Sequence, residues 1–222
     1  MSYSSMERNH PIQGIKAIYD SKRQEIGLRL HEFQEIWKRG TTEEIFAELV
    51  FCILTPQSRG RSCWAAVVDM MRKGVLFTGE AGQIVKELHR VRFMYKKSQY
   101  IVEARRRFLG DCRVSMKSII SQINDGHEAR EWLVQSVKGI GYKEASHFLR
   151  NIGFDQNLGI LDRHVVKNLQ STGVLEEIPG SLSRRRYLDI EKKMMEFSKA
   201  VQIPMSYLDL VMWYKETGEI FK

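Results

Sequence analysis

Val137-Lys138-Gly139-Ile140-Gly141-Tyr142-Lys143-Glu144-Ala145 is the stretch whose reading decides the fold. Two glycines flank one apolar residue, which predicts a turn too tight for Cβ atoms, and helical periodicity runs into it and out of it. The pattern is that of a helix-hairpin-helix over about 130–152, with the second helix beginning near Tyr142 and completed from Ser146 to Ile152. Backbone N–H groups at the start of that helix, helped by the positive end of its dipole, suit a phosphate oxygen. Alone, such a turn is a non-specific DNA clamp.

Lys143 lies on the first turn of the second helix, and Asp162 follows it by 19 residues (162 − 143) in the run Leu161-Asp162-Arg163-His164. Gly153 to Gly159 reads as a loop, Leu158 to Leu161 as a short apolar run, and Asp162 stands where the next helix needs an N-cap. The spacing therefore allows an amine and a carboxylate to face each other. Singly, a lysine at a helix start is ordinarily solvated or phosphate-bound and an aspartate before a helix is ordinarily a cap. Their joint occurrence with the Gly-Ile-Gly turn is what points to chemistry.

Outward from there, nearly the whole chain reads as helix. Apolar residues recur at three and four places in Ile12 to Trp37, Ile45 to Leu54, Cys63 to Met71, Ile84 to Val91, Ile101 to Phe108, Ile119 to Val137, Val165 to Leu169, Tyr187 to Phe197 and Tyr207 to Tyr214. Thr41 followed by Glu44 forms a capping-box pattern, and Ser183 is placed to cap the helix that carries Arg184 to Arg186. The four prolines, Pro11, Pro56, Pro179 and Pro204, are expected at element boundaries. The fold class is all-α with short connections.

The 222 residues carry 35 Lys and Arg against 27 Asp and Glu, a net charge of +8, which suits a polyanionic partner. Cys52, Cys63 and Cys112 lie far apart with no metal-ligand spacing, so no metal site is expected, and free thiols fit a reducing, intracellular compartment. No apolar stretch is long enough to span a bilayer, and the polar N-terminus, Ser2 to His10, shows no cleavable signal.

Leu54-Thr55-Pro56-Gln57, the Phe93 to Ile101 segment with its Lys97, the hairpin and the Leu-Asp-Arg-His run fall in the order and approximate spacing of a known group. The chain resembles the helix-hairpin-helix, Gly/Pro-Asp superfamily of DNA glycosylases, which includes endonuclease III and the 8-oxoguanine glycosylases, over most of its length. The segment Leu54 to Ser58, the ending Trp213-Tyr214 to Phe221-Lys222, and the lack of four clustered cysteines for an iron–sulfur centre look most like the second, archaeal type of 8-oxoguanine DNA glycosylase. One departure is Lys138, where the superfamily usually has proline. It is expected to add a phosphate-facing charge and leaves the catalytic positions intact.

The resemblance implies a two-lobed helical fold, with residues 41–157 forming one lobe and residues 1–40 plus 158–222 the other, and with Lys143 and Asp162 at a cleft between them. It implies a bifunctional DNA glycosylase and AP lyase that excises 8-oxoguanine without a cofactor, acting as a monomer on double-stranded DNA. Lys143 would attack C1′ and Asp162 would stabilise positive charge on the sugar. A free lysine titrates near ~10.4, so burial or a neighbouring cation is expected to favour the neutral amine. Gln57, Phe93 or Met94, Trp213 and the C-terminal Lys222 are the expected base-recognition residues. Arg59, Lys97, Lys138, Gly139, Gly141 and His164 are the expected phosphate contacts. Two alternatives stand beside this reading: a related glycosylase for another oxidised base, and a non-catalytic helix-hairpin-helix DNA-binding module.

Overall fold

The computed structural model describes the backbone of residues 3–110 and 115–222, and side chains from residue 10 onward within that range; Cys112 lies outside the described residues. The described residues form helices joined by short loops, and divide into two compact units, Phe33–Phe154 and a unit made of Met1–Glu32 with Asp155–Lys222.

The first unit is built around α2 (Thr42–Leu54), in which every residue from Ile45 to Leu54 is buried. A helix apolar on all sides must be surrounded. Around it pack α3 (Gly60–Arg72), α6 (Met94–Leu109), α7 (Met116–Ile120) and α9 (Tyr142–Asn151). The capping box expected at Thr41 is present: Glu44 N–H donates to Thr41 Oγ1 at 3.2 Å, and Thr41 N–H donates to Glu44 Oε2 at 2.7 Å. A short α4 (Val75–Thr78) and α5 (Ala81–Glu87) close this side, α5 ending before the expected Val91.

The single helix expected from Ile119 to Val137 is two. Asp125 breaks it, its carboxylate accepting the Glu128 N–H at 2.9 Å as the N-cap of α8 (Gly126–Ser136). α8 and α9 then form the helical hairpin, tied by Tyr142 Oη donating to Glu131 Oε2 at 2.6 Å and by Arg130 Nη1 donating to Ser146 Oγ at 3.2 Å.

The first helix, α1 (Tyr3–Arg39), carries Pro11 inside it rather than at its boundary. One missing N–H and one crowded carbonyl near the start of so long a helix are a tolerable loss. The unit boundary also falls within α1, before Phe33 rather than at Thr41. The reason is packing: the Trp37 ring meets Phe154 edge-on at 5.0 Å, the Arg150 guanidinium lies over Phe33 at 4.9 Å, and a Cβ on Gly153 would strike the Phe33 carbonyl oxygen at 2.4 Å. The last turns of α1 thus belong with the end of α9.

In the second unit, the earlier part of α1 joins α10 (Arg163–Ser171), α11 (Arg184–Val201) and α12 (Met205–Thr217). Ser183 caps α11 as expected, its hydroxyl accepting the Arg186 N–H at 3.4 Å. The run Leu158 to Leu161 is buried and pinned from α11, where Tyr187 Oη donates to the Gly159 carbonyl at 2.5 Å and Glu191 accepts the Gly159 N–H at 2.7 Å. No helix among the described residues is long and apolar enough to cross a membrane.

Candidate active site

The hairpin turn is tight at one glycine and not at the other. Gly139 has φ +83°, and a Cβ there would meet the Tyr100 ring at 2.6 Å. Gly141 is extended instead, φ −101° and ψ −173°, and serves as the N-cap of α9. Its N–H donates to Glu144 Oε2 at 3.3 Å. Lys138, expected to face phosphate, is exposed beside the turn and paired with Glu103 at 3.0 Å.

Lys143 follows on the first turn of α9. Its amine donates to Thr55 Oγ1 at 3.3 Å and pairs with Glu144 Oε1 at 3.0 Å. The Thr55 hydroxyl gives its own proton to the Cys52 carbonyl at 2.9 Å, which leaves its lone pairs to the lysine. Burial or a neighbouring cation was the expectation for this amine, which is half-buried and whose charge is felt at Lys97. Its direct partners are a hydroxyl and a carboxylate, and Glu144 also takes the Gly141 N–H. Glu144 could have been singled out from the sequence, since an acid three residues after a helix N-cap commonly reaches back to it. Thr55 could not, because it lies 88 residues away.

Thr55 opens the turn at the end of α2. Gln57, two residues on, is exposed and has φ +55°; Phe93, the N-cap of α6, has φ +59° and is 55% exposed. The only other described non-glycine residue at positive φ is Gln202, which ends α11. A left-handed non-glycine residue costs ~1–3 kcal/mol and persists where its surroundings impose it, often at ligand sites. The Arg92 N–H donates to Ser58 Oγ at 3.0 Å and so joins the two turns. Met94, beside Phe93, is half-buried, and Arg59 is exposed at the start of α3.

Lys97 departs from its expected place at a phosphate. It is buried, and its ammonium donates inward to the Leu54 carbonyl at 2.7 Å, the Pro56 carbonyl at 2.8 Å and Ser58 Oγ at 3.2 Å. A lysine on the second turn of a helix gives no hint of this, since its reach inward depends on where α2 ends. Burial, first, pushes Lys97 down to about 8; Cys63 and Glu144 oppose that shift, and the charge of Lys143 adds to it. Cys63, also buried, donates to the same Leu54 carbonyl at 3.2 Å, and burial pushes its thiol up to about 11.

In the other unit, Asp162 is the N-cap of α10, its Oδ1 accepting the N–H groups of His164 at 2.9 Å and Val165 at 2.8 Å. It lines a cavity of about 590 Å³ with Arg163, Lys167, Ile178, Leu182 and Glu216. His164, expected at a phosphate, has its ring set edge-on to Trp213, 4.8 Å away, and receives an N–H from Arg163 Nε at 3.3 Å. Trp213 is half-buried on α12, and its Nε1 is buried with no hydrogen-bond acceptor among the described residues, an arrangement that costs ~1–3 kcal/mol. Asn168 clips α10 to α12, accepting from Lys215 at 2.8 Å and donating to Glu216 at 3.2 Å. Lys222 is half-buried at the end of the tail that follows Gly218, which ends α12 in the left-handed conformation.

Comparison with known proteins places this geometry. Residues 26–203 match the model of the 8-oxoguanine DNA glycosylase family. A protein named 8-oxoguanine DNA glycosylase/AP lyase from Fusobacterium nucleatum is 42% identical over 98% of this chain and 100% of its own length. One of the same name from Methanocaldococcus jannaschii is 38% identical over 94% of this chain and 99% of its own. Among solved structures, the M. jannaschii glycosylase/lyase in complex with a 15mer DNA containing 8-oxoguanine matches with a TM-score of 0.85 at 36% identity, covering 95% of this chain and 99% of that one. The 8-oxoguanine DNA glycosylase of Thermotoga maritima matches with a TM-score of 0.85 at 30% identity, covering 97% and 100%. With a helix-hairpin-helix carrying Lys143, a capping Asp162 and these matches along its length, the chain belongs to the archaeal-type, helix-hairpin-helix family of 8-oxoguanine DNA glycosylases.

Proposed function

We propose that this protein is a bifunctional DNA glycosylase and AP lyase that removes 8-oxoguanine from double-stranded DNA. Family membership and relatives bearing that activity in their names along nearly their whole length support the reading. The observation that carries the mechanism is Lys143, half-buried on the hairpin helix with its amine oriented by Thr55 and Glu144.

A base stacked in a duplex is beyond the reach of any nucleophile, so the nucleotide is first extruded, at a cost of a few (~2–4) kcal/mol of unstacking. The unprotonated Lys143 amine then attacks C1′ as the N-glycosidic bond breaks and its electrons leave with the base. Positive charge develops on the sugar, and the Asp162 carboxylate stabilises it. The sugar ring opens to an imine on Lys143, a proton leaves C2′, and the 3′ phosphate departs by β-elimination. Gln57, Phe93 or Met94, Trp213 and Lys222 read the extruded base and the gap it leaves. Gly139, Gly141, Lys138 and Arg59 grip phosphates, the Gly141 amide doing so once Glu144 releases it.

Borohydride added during reaction with an 8-oxoguanine duplex tests this directly. The expected result is a covalent protein–DNA adduct mapping to Lys143. An adduct with an oxidised-pyrimidine duplex only would transfer the proposal to another lesion, and no adduct or strand cleavage with any lesion would leave a DNA-binding module.

A further inference from the structure

Lys97 stands buried on the second turn of α6, and the three N–H donors of its ammonium match three oxygens of a single turn, those of Leu54, Pro56 and Ser58. That turn makes three further connections. Through Thr55 it receives the Lys143 amine, at its tip it carries the left-handed Gln57, and through Ser58 it holds the Arg92 N–H at the foot of the left-handed Phe93. A buried ammonium loses its hydration, and an apolar side chain of similar volume commonly serves packing as well or better. Three directed bonds to one turn do what an apolar side chain cannot: they set the turn's path and hold it against the cost of its strained residue.

We infer that Lys97 is a positioning residue which couples the placement of the Lys143 amine to that of Gln57 and Phe93 through the turn at residues 54–58. The inference rests on Lys143 being the nucleophile. The two arms of the coupling are separable. Thr55 is the arm to the amine, and Ser58 is the arm to Phe93. Cys63 supports the same turn from α3, its protonated thiol donating to the Leu54 carbonyl that Lys97 also uses.

The experiment compares Lys97→Met, Thr55→Val and Ser58→Ala in single-turnover excision of 8-oxoguanine, in cleavage at a preformed abasic site, in binding of undamaged duplex and in thermal melting. Lys97→Met, as a cooperatively melting protein, is expected to slow excision and abasic cleavage by at least about tenfold, the scale of a misplaced reacting group, with undamaged-duplex binding held within about threefold. Thr55→Val slows both reactions. Ser58→Ala slows excision by at least about threefold more than abasic cleavage, because it cuts the arm to the base-reading side while leaving Thr55 and the two carbonyl bonds of Lys97 in place. A folded Lys97→Met within threefold of wild type on both substrates overturns the inference. If Lys97→Met does not fold, the other two variants decide: Thr55→Val at the wild-type rate on both substrates, or Ser58→Ala with equal effects on both, overturns it. Borohydride trapping of the wild-type protein is mapped alongside: DNA attached to a lysine other than Lys143 refutes the nucleophile assignment itself, whatever the variants do.

Discussion

The Lys143 amine in one unit and the Asp162 carboxylate in the other are held by opposite means. Lys143 depends on chain far from it: Thr55, 88 residues earlier, supplies one contact, and the turn bearing Thr55 is fixed in turn by Lys97 from a third helix. Asp162 depends on its own next residues, since both N–H groups it accepts come from the first turn of α10. The difference teaches that the proposed nucleophile is tunable by remote substitutions, whereas the carboxylate is nearly self-sufficient.

The sharpest way to break this comparison is to remove the Lys143 amine. Lys143→Gln keeps length and polarity, and is expected to lose strand cleavage and borohydride trapping by four decades or more, on the scale of removing an enzyme's nucleophile. Lesion DNA should still bind in a gel-shift assay. Full trapping through another lysine would show that Lys143 serves phosphate binding only.

Asp162→Asn comes next, because asparagine caps a helix about as well as aspartate while carrying no charge. Single-turnover excision should fall by two to four decades, equivalent to ~3–5 kcal/mol, with the melting temperature nearly unchanged. Near-normal excision would make Asp162 a cap and nothing more. Asp162→Ala would add to this a loss of ~1 kcal/mol in stability.

A smaller effect is expected at the C-terminus. 8-Oxoguanine carries a hydrogen at N7 where guanine has a lone pair, so a carboxylate there favours the lesion. Deleting Lys222, or extending the chain past it, should lower 8-oxoguanine excision by roughly ten- to a hundredfold, the ~1–3 kcal/mol of an unmade buried hydrogen bond. Cleavage at a preformed abasic site should fall far less. Equal changes on both substrates would remove Lys222 from the base site.

The buried Lys97 behind the Lys143 amine predicts a pH dependence. The folded state holds Lys97 at about 8, below the ordinary lysine value, so between that pH and ~10.4 the unfolded chain binds more protons than the folded one. Stability therefore rises with pH across this window. Between pH 7 and 9, denaturant titration of wild type should gain on the order of 1 kcal/mol relative to Lys97→Met. Cys63, held up at about 11, contributes the opposite slope above pH 9. Parallel pH profiles for the two proteins would show that Lys97 is not the group that titrates.

The smallest effect belongs to the hairpin rim. Lys138 is exposed and shares its charge with Glu103, a pairing worth ~0–1 kcal/mol. Lys138→Ala should weaken lesion and undamaged DNA alike by a few-fold (~2–5) and lower the salt slope by about one, while Glu103→Gln should tighten both. Loss for the lesion alone would place Lys138 at the base instead.

What the residues by themselves determined was local. The Thr41 and Ser183 caps, the Asp162 cap, the Gly139 turn and the periodic helices each rest on contacts within a few residues, where composition and spacing carry the physics. Asp125 splitting one expected helix into two is equally local, and its signal is a capping residue before a glycine in the stretch between Ile123 and Ala129, which holds no apolar residue. Tertiary structure alone decided the rest. It turned Lys97 from a surface cation into an internal strut, brought Thr55 under Lys143, set Gln57 and Phe93 in left-handed backbone, and assigned the end of α1 to the unit of α2 and α9. Each of these depends on where one element ends against another, and burial and directed hydrogen bonds between distant segments have no signature in the local order of residues.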